Sequence, residues 1–366
     1  MEMKRSIAGM AAVIMAAILF FPVQVQALSA EHAIVMDAAT GRVLYQRRAN
    51  EQSLIASTTK IMTALVVCEQ CNVLDRMRIP KEAVGIEGSS MYLREGEILT
   101  IQELLYGLML QSGNDAAVAL AIYCGGTVEG FVQMMNDKAR TLGLENTRFE
   151  NPNGLDAPGH YSTARDLAVL TAYAMENPIF LKTVSTKSVR IGERYLSNHN
   201  KLLWQLDGAD GVKTGFTKAA GRILVSSATR DGRRLICVTI NAPDDWRDHK
   251  NLLEDGFSKY QHRQLVTAGE IIGSVSVFGG EEVSVPLIAE DDFSYALSEG
   301  ERVSICLPSP GFVYAPVCRG QEAGYAHVLV DGNAVGKVSL VYGETVEKET
   351  EPPVPWWKRL LKGEIP

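Results

Sequence analysis

Three short runs carry residue types that could perform a reaction: Ser57-Thr58-Thr59-Lys60, Ser112-Gly113-Asn114 and Lys213-Thr214-Gly215. A serine hydroxyl is a poor nucleophile until a neighbouring base takes its proton. Helical spacing puts Lys60 one turn beyond Ser57 on the same face, so the two can meet. An amine acts as that base only when desolvation or nearby positive charge lowers its pKa, and Lys213 is the candidate source of the charge. Lys213 is also expected to hold an anionic substrate group, with the Thr214 hydroxyl adding a hydrogen bond, which suits the carboxylate at the end of a peptide. Ser112 can relay a proton between Lys60 and a leaving nitrogen, while the Asn114 amide can donate to and accept from a peptide group. Gly215 lets substrate lie close against a strand. The backbone N–H groups of Ser57 and Phe216, at a helix start and a strand edge, are the candidate oxyanion donors. Each run alone recurs by chance, but the ordered set specifies serine acyl transfer.

Other features are weaker. Gly208-Ala-Asp-Gly211-Val-Lys213-Thr214 imitates a phosphate loop, yet Val212 stands where that loop needs glycine directly before the lysine. Cys68-Glu-Gln-Cys71 has the spacing of a redox or zinc half-site without a second half, so structural or free thiols are expected. Cys306 and Cys318 are near enough in sequence to join neighbouring strands, although spacing does not assign the bonds. No metal or organic cofactor is implied.

The elements that position the three runs follow from periodicity. Helices are expected over Ser57–Val67, Ile101–Leu110, Asn114–Tyr123, Val128–Leu142 and Ala164–Met175, with Asn151-Pro-Asn-Gly154 among the separating turns. Short β-branched runs at Ala33–Met36, Ile223–Ser226 and Leu235–Ile240 make residues 28–262 an α/β or α+β domain. Alternating runs with turn residues then predict a small all-β domain over 263–346. Residues 347–366 read as a linker and tail. Within the tail Trp356, Trp357, Leu360 and Leu361 oppose Lys358, Arg359 and Lys362, so 356–362 could lie on an anionic membrane surface.

At the other end, Lys4 and Arg5 precede a 15-residue apolar run from Ile7 to Phe21 that closes in Val25-Gln26-Ala27. A membrane span needs about 20 residues, so 1–27 reads as a secretory signal with cleavage after Ala27. A secreted protein of the cell envelope is expected. The chain has 366 residues, 46% hydrophobic and 22% charged, which is ample for packed domains and excludes a mostly disordered chain. Its net charge of -7 argues against nucleic acid as a partner.

The three runs together resemble the signature of class A β-lactamases and penicillin-binding proteins. The chain resembles the secreted serine-type D-alanyl-D-alanine carboxypeptidases, the low-molecular-mass penicillin-binding proteins of the peptidase S11 family. Gly88–Leu93, Leu105–Ala117, Asn151–Asp156, Asn200–Leu203 and Asp210–Thr217 extend the likeness over nearly the whole chain. The resemblance implies a serine β-lactamase/transpeptidase-like catalytic domain followed by a β-rich domain and an amphipathic anchor. It implies removal of the terminal D-alanine from peptidoglycan pentapeptide stems through a Ser57 acyl-enzyme, with β-lactams acylating the same serine. By carry-over Lys60 is the proton acceptor, Ser112 an active-site serine and Lys213 the substrate-binding residue. The chain departs from the pattern at His199, where some relatives have arginine, and Arg247 matches only loosely a basic residue near the substrate carboxylate.

Two rivals stay open at this level. A β-lactamase would add a carboxylate that activates water, and Glu129 and Glu150 read more simply as surface or loop charges. A sensor would keep the penicillin-reactive fold without turnover.

Overall fold

The computed structural model describes residues 28–307 and 311–350; the segments expected as signal (1–27) and amphipathic tail (356–362) lie outside the described residues. The chain opens with a hairpin, β1 (His32–Asp37) and β2 (Val43–Arg47), and reaches a 3-10 turn at Ala56–Thr59 before α1 (Lys60–Gln70). The sequence-based helix from Ser57 is therefore corrected at its start. Thr58 folds back on Ile55, both its backbone N–H (3.1 Å) and its hydroxyl (2.5 Å) donating to the Ile55 carbonyl, which tightens the first turn. Since residues three apart eclipse in a 3-10 helix, the tighter turn brings Ser57 directly beneath Lys60.

A two-stranded ribbon, β3 (Arg76–Arg78) with β4 (Ile98–Thr100), precedes α2 (Ile101–Leu110), whose start is set by a complete Thr100/Glu103 capping box. Helices α3 (Asn114–Gly125), α4 (Val128–Thr141), α5 (Ala164–Met175) and α6 (Pro178–Ser185) follow. Thr127, Thr163 and Asn177 cap α4, α5 and α6 by accepting from backbone N–H groups of their first turns. The ribbon β5 (Ser188–Ile191) and β6 (Arg194–Ser197) and the single turn α7 (Leu202–Gln205) lead into β7 (Ala209–Thr217), β8 (Gly221–Arg230), β9 (Arg233–Ile240) and α8 (Asp245–Lys259).

The central sheet has the order β2-β1-β9-β8-β7, antiparallel throughout. Its strands alternate between two cores. Ile34, Met36, Ile236 and Val238 face the helical layer, while Val35, Leu235 and Cys237 pack with Leu252 and Leu253 of α8. Helix α1 is buried on every side from Lys60 to Cys68, as expected of a helix that is apolar all round and central to its layer. Each fully buried leucine such as Leu65 contributes roughly 1.5–3 kcal/mol, so Lys60 at the head of this helix sits on a rigid base.

Beyond α8 the regular elements among the described residues are all strands: β10 (Tyr260–Val266), β11 (Ile271–Phe278), β12 (Ser284–Ala289), β13 (Phe293–Ser298), β14 (Val303–Cys306), β15 (Phe312–Tyr314), β16 (Glu322–Val330) and β17 (Asn333–Tyr342). Strands β10 and β13 pair, and the others form a six-stranded sheet in the order β14-β16-β17-β12-β11-β15. That order corrects one expectation. Strand β14, which ends at Cys306, and β15, which precedes Cys318, occupy opposite edges, and both thiols are free and exposed. Arg42, from the β1–β2 turn, lies 5.0 Å from the ring centres of both Tyr260 and Tyr295 and donates to Glu301 Oε2 at 3.0 Å, joining the two parts of the chain.

Candidate active site

The three runs converge at one end of the edge strand β7. Ser57 stands on the 3-10 turn, Lys60 at the first residue of α1, Ser112 just before α3, Asn114 at its first residue, and Lys213, Thr214, Gly215 and Phe216 along β7. Lys60 Nζ donates to Ser57 Oγ at 3.1 Å, to Asn114 Oδ1 at 2.7 Å and to the backbone carbonyl of Asn153. Lys213 Nζ donates to Ser112 Oγ at 3.0 Å and to its neighbour's carbonyl, Thr214 O, at 2.8 Å.

Both lysines are essentially inaccessible, Lys60 at 0% and Lys213 at 1% exposure. Burial without a carboxylate partner disfavours an ammonium, so the Lys60 pKa lies well below its ordinary value, first through desolvation and then through the Lys213 charge, with Asp115 opposing. Desolvation alone pushes Lys213 down to about 7. A neutral amine in contact with the Ser57 hydroxyl can accept its proton.

Local sequence explains this placement. Ala56 is held at φ 44 and Ser112 at φ 60, left-handed conformations that non-glycine residues seldom adopt. The Asn151–Gly154 loop supports the first: Gly154, at φ +85, runs so close to Ala56 that a Cβ there would lie 2.0 Å from the Ala56 carbonyl oxygen. The same loop supplies the Asn153 carbonyl to Lys60 and the Pro152 carbonyl to Thr63 Oγ1 (2.6 Å). For Ser112, the anchor is Asp115. This 1% exposed carboxylate accepts from Ser90 Oγ (2.6 Å) and from the backbone N–H of Met91 (3.1 Å), Leu93 (3.0 Å) and Ala116 (2.9 Å). It thereby ties Gly88–Leu93 to the start of α3, where the helix dipole also favours a negative charge. Asn200 Nδ2, donating to Gly211 O at 2.6 Å, fixes the beginning of β7.

These groups border a cleft of about 310 Å³ lined by Ser57, Ser89, Ser112, Thr214, Gly215 and Phe216, with His199, Arg222, Ile223, Asp245 and Trp246 on the same walls. Lys60, Lys213 and Asn114 are absent from that lining and act from behind it. Two expectations change accordingly. Asn114 spends Oδ1 on Lys60, and its Nδ2 donates to Glu87 O, so its amide positions the base in this state. Ser112 is bonded to Lys213, and among the described residues no hydrogen bond joins it to Lys60.

His199 lines the cleft as a solvent-accessible imidazole whose pKa is lowered by desolvation and by Lys213. Arg247 does not line it; its guanidinium pairs with Asp244 at 2.7 Å at the start of α8. The arginine on the wall is Arg222. It sits opposite Phe216 in the β7–β8 register, pairs with Asp245 Oδ1 at 2.6 Å and lies 5.9 Å from the Trp246 ring centre. Burial raises the Asp245 pKa while Arg222 opposes the rise. Sequence reasoning missed Arg222, Asp245 and Trp246 because register and the entry to α8, not spacing, bring them together. The Asn153 carbonyl was missed because a backbone oxygen leaves no trace in residue type. Neither Glu129 nor Glu150 reaches the cleft: Glu129 is in the first turn of α4, and Glu150 pairs with Arg148 at 2.8 Å.

The site thus sets a serine hydroxyl against a buried amine beside the open edge of a strand. Residues 20–244 match the D-alanyl-D-alanine carboxypeptidase family profile, and residues 260–348 match the C-terminal domain of penicillin-binding protein 5. The chain is 32% identical to the Bacillus subtilis D-alanyl-D-alanine carboxypeptidase DacF, covering 87% of this chain and 86% of DacF. It is 34% identical to Escherichia coli DacC over 89% of this chain and 86% of that protein. The structure of Haemophilus influenzae penicillin-binding protein 5 superposes with a TM-score of 0.77 at 31% identity, covering 89% of this chain and all (100%) of the other. A point mutant of the Streptomyces K15 DD-transpeptidase covers 63% of this chain, and 99% of its own, at 35% identity and a TM-score of 0.62. The chain belongs to the D-alanyl-D-alanine carboxypeptidase family of penicillin-binding proteins, and it is a hydrolase of that class.

Proposed function

We propose that this enzyme removes the terminal D-alanine from peptidoglycan pentapeptide stems through an acyl-enzyme on Ser57. The observation that carries the reading is the 3.1 Å contact between Ser57 Oγ and the fully buried, deprotonation-prone Lys60 Nζ. The stem peptide adds alongside the open edge of β7, its main chain bonding to the strand as an extra strand does. Its terminal carboxylate meets the Thr214 hydroxyl and the positive groups of Lys213 and Arg222. Ser57 Oγ attacks the penultimate D-alanine carbonyl while its proton passes to Lys60 Nζ. The Ser57 and Phe216 backbone N–H groups face the developing oxyanion. Collapse of the tetrahedral intermediate breaks the peptide bond, and the departing nitrogen takes the proton back from Lys60, with Ser112, held by Lys213, on the same cleft wall. Water, losing its proton to Lys60, then hydrolyses the ester and restores Ser57.

β-Lactams acylate Ser57 by the same first step. Export directed by residues 1–27 and a surface-bound tail at 356–362 would place the enzyme in the cell envelope, acting in cell-wall biogenesis and cell shape. Supporting this setting are the charge and apolar layout of those two segments.

The test is release of D-alanine from diacyl-Lys-D-Ala-D-Ala by the mature protein, with Ser57→Ala and Lys60→Ala variants and with or without penicillin. The reading expects release by wild type alone and complete block by penicillin. Covalent penicillin binding at Ser57 without any release would replace it with the sensor reading, and rapid penicillin turnover would replace it with a β-lactamase.

A further inference from the structure

The ends of α1 and α3 distant from Ser57 carry a pair of thiols. Cys71 is the C-terminal cap of α1, and Cys124 lies in the last turn of α3. The two thiols are neighbours there, each partly buried against the same apolar core. A second contact closes the same corner: Tyr123 Oη, beside Cys124, donates at 2.9 Å to Asp75 Oδ2 in the turn after Cys71. At their other ends the same two helices are joined by the Lys60–Asn114 hydrogen bond of 2.7 Å.

Cys68 and Cys237 are unlike this pair, since both are buried; burial pushes the Cys68 thiol up to about 12 and that of Cys237 well above its ordinary value. The neighbouring Cys124 thiol lowers the Cys71 pKa, which makes Cys71 the readier thiolate.

We propose that Cys71 and Cys124 form a disulfide that staples the far end of α1 to α3, a covalent counterpart of the Lys60–Asn114 contact. The Cys68-Glu-Gln-Cys71 spacing left Cys71 expected as a structural or free thiol; packing of α1 on α3 supplies it with a partner. The oxidant is a small-molecule or protein disulfide. The Cys71 thiolate attacks one of its sulfurs, forming a mixed disulfide and expelling the first thiolate. Cys124, losing its proton to solvent, then attacks the Cys71 sulfur and expels the second. The two cysteines are oxidised, and the external disulfide is reduced to two thiols. The bond encloses residues 72–123, which include Ser112 and Asn114, so it restricts the unfolded chain over the segment that completes the site.

The experiment equilibrates the purified protein with oxidised glutathione, alkylates free thiols, digests without reductant and measures peptide masses. It expects one species joining the Cys71 and Cys124 peptides, lighter than their sum by two hydrogens. It also expects a Tm that falls by several degrees on reduction. A Cys306→Ser, Cys318→Ser variant keeps both signals, and a Cys71→Ser, Cys124→Ser variant loses both. Separate alkylation of Cys71 and Cys124 in the oxidised, folded protein overturns the proposal, as does Cys71 joined to any other cysteine or left bearing glutathione. The mass measurement on wild type decides the matter even where a variant fails to fold.

Discussion

Replacing Gly154 by alanine tests whether the Asn151–Gly154 loop holds the reactive serine in place. The new Cβ would lie 2.0 Å from the Ala56 oxygen, 2.5 Å from its carbon and 3.0 Å from the Ser57 nitrogen, whereas ordinary contact begins near 3.4 Å. All three neighbours are backbone atoms, so the turn bearing Ser57 or the loop must give way by more than about 1 Å, and a misplacement of that size at a reacting group costs roughly 100-fold. The left-handed φ of +85 adds about 1–2 kcal/mol of strain for any residue with a Cβ. Gly143→Ala is the control: its φ is +68, and its added Cβ meets nothing within 4 Å. Both variants should therefore lose a few degrees of Tm, and only Gly154→Ala should acylate slowly. The assay is the second-order rate of labelling by a fluorescent penicillin, with thermal unfolding in parallel. Wild-type labelling by a folded Gly154→Ala protein would refute the reasoning, as would an equal loss in Gly143→Ala.

Further predictions concern charge. The folded Lys213 pKa of about 7 lies below the unfolded 10.5, so between these values the unfolded state binds more protons and stability rises with pH. Lys213→Met should flatten that rise in urea titrations from pH 7 to 10 and raise stability at pH 7 by on the order of a few kcal/mol, while abolishing D-alanine release. Asp115→Ala leaves the Ser90 hydroxyl and the Met91 and Leu93 N–H groups without their acceptor, and should cost about 3–5 kcal/mol by denaturant melt. Arg222→Gln removes a cation from the cleft wall; KM for the acyl-D-Ala-D-Ala peptide should rise about 10- to 100-fold with kcat nearly unchanged, and an unaltered KM would remove Arg222 from carboxylate binding.

Much of the framework was legible because it rests on local physics. Ile101–Leu110 and Ala164–Met175 have the same limits in sequence and structure, since threonine caps and apolar periodicity mark helix ends within a few residues. Strand Ile271–Phe278 falls within the stretch expected to be β, flanked by the turn glycines Gly269 and Gly279. By contrast β10 and β13 went unseen: Tyr260–Val266 carries Gln, His and Arg on its exposed positions, and its pairing with Phe293–Ser298 is a long-range event with no local pattern.

The site divides in the same way. Residue types and spacing by themselves determined the chemistry available, because a serine three residues before a lysine, with a second serine and a KTG run, admits few other uses. Only the tertiary structure decided the state of those groups. Burial of Lys60 and Lys213 lowers their pKa values, and burial depends on what the whole helical layer packs around them. The same holds for the Asn153 carbonyl, the buried Asp115 anchor and the Arg222–Asp245 pair, each brought in from a distant stretch of chain. Spacing along one helix is a short-range property that a sequence displays directly. Desolvation and register are properties of the packed whole, which appear only when all the elements are assembled.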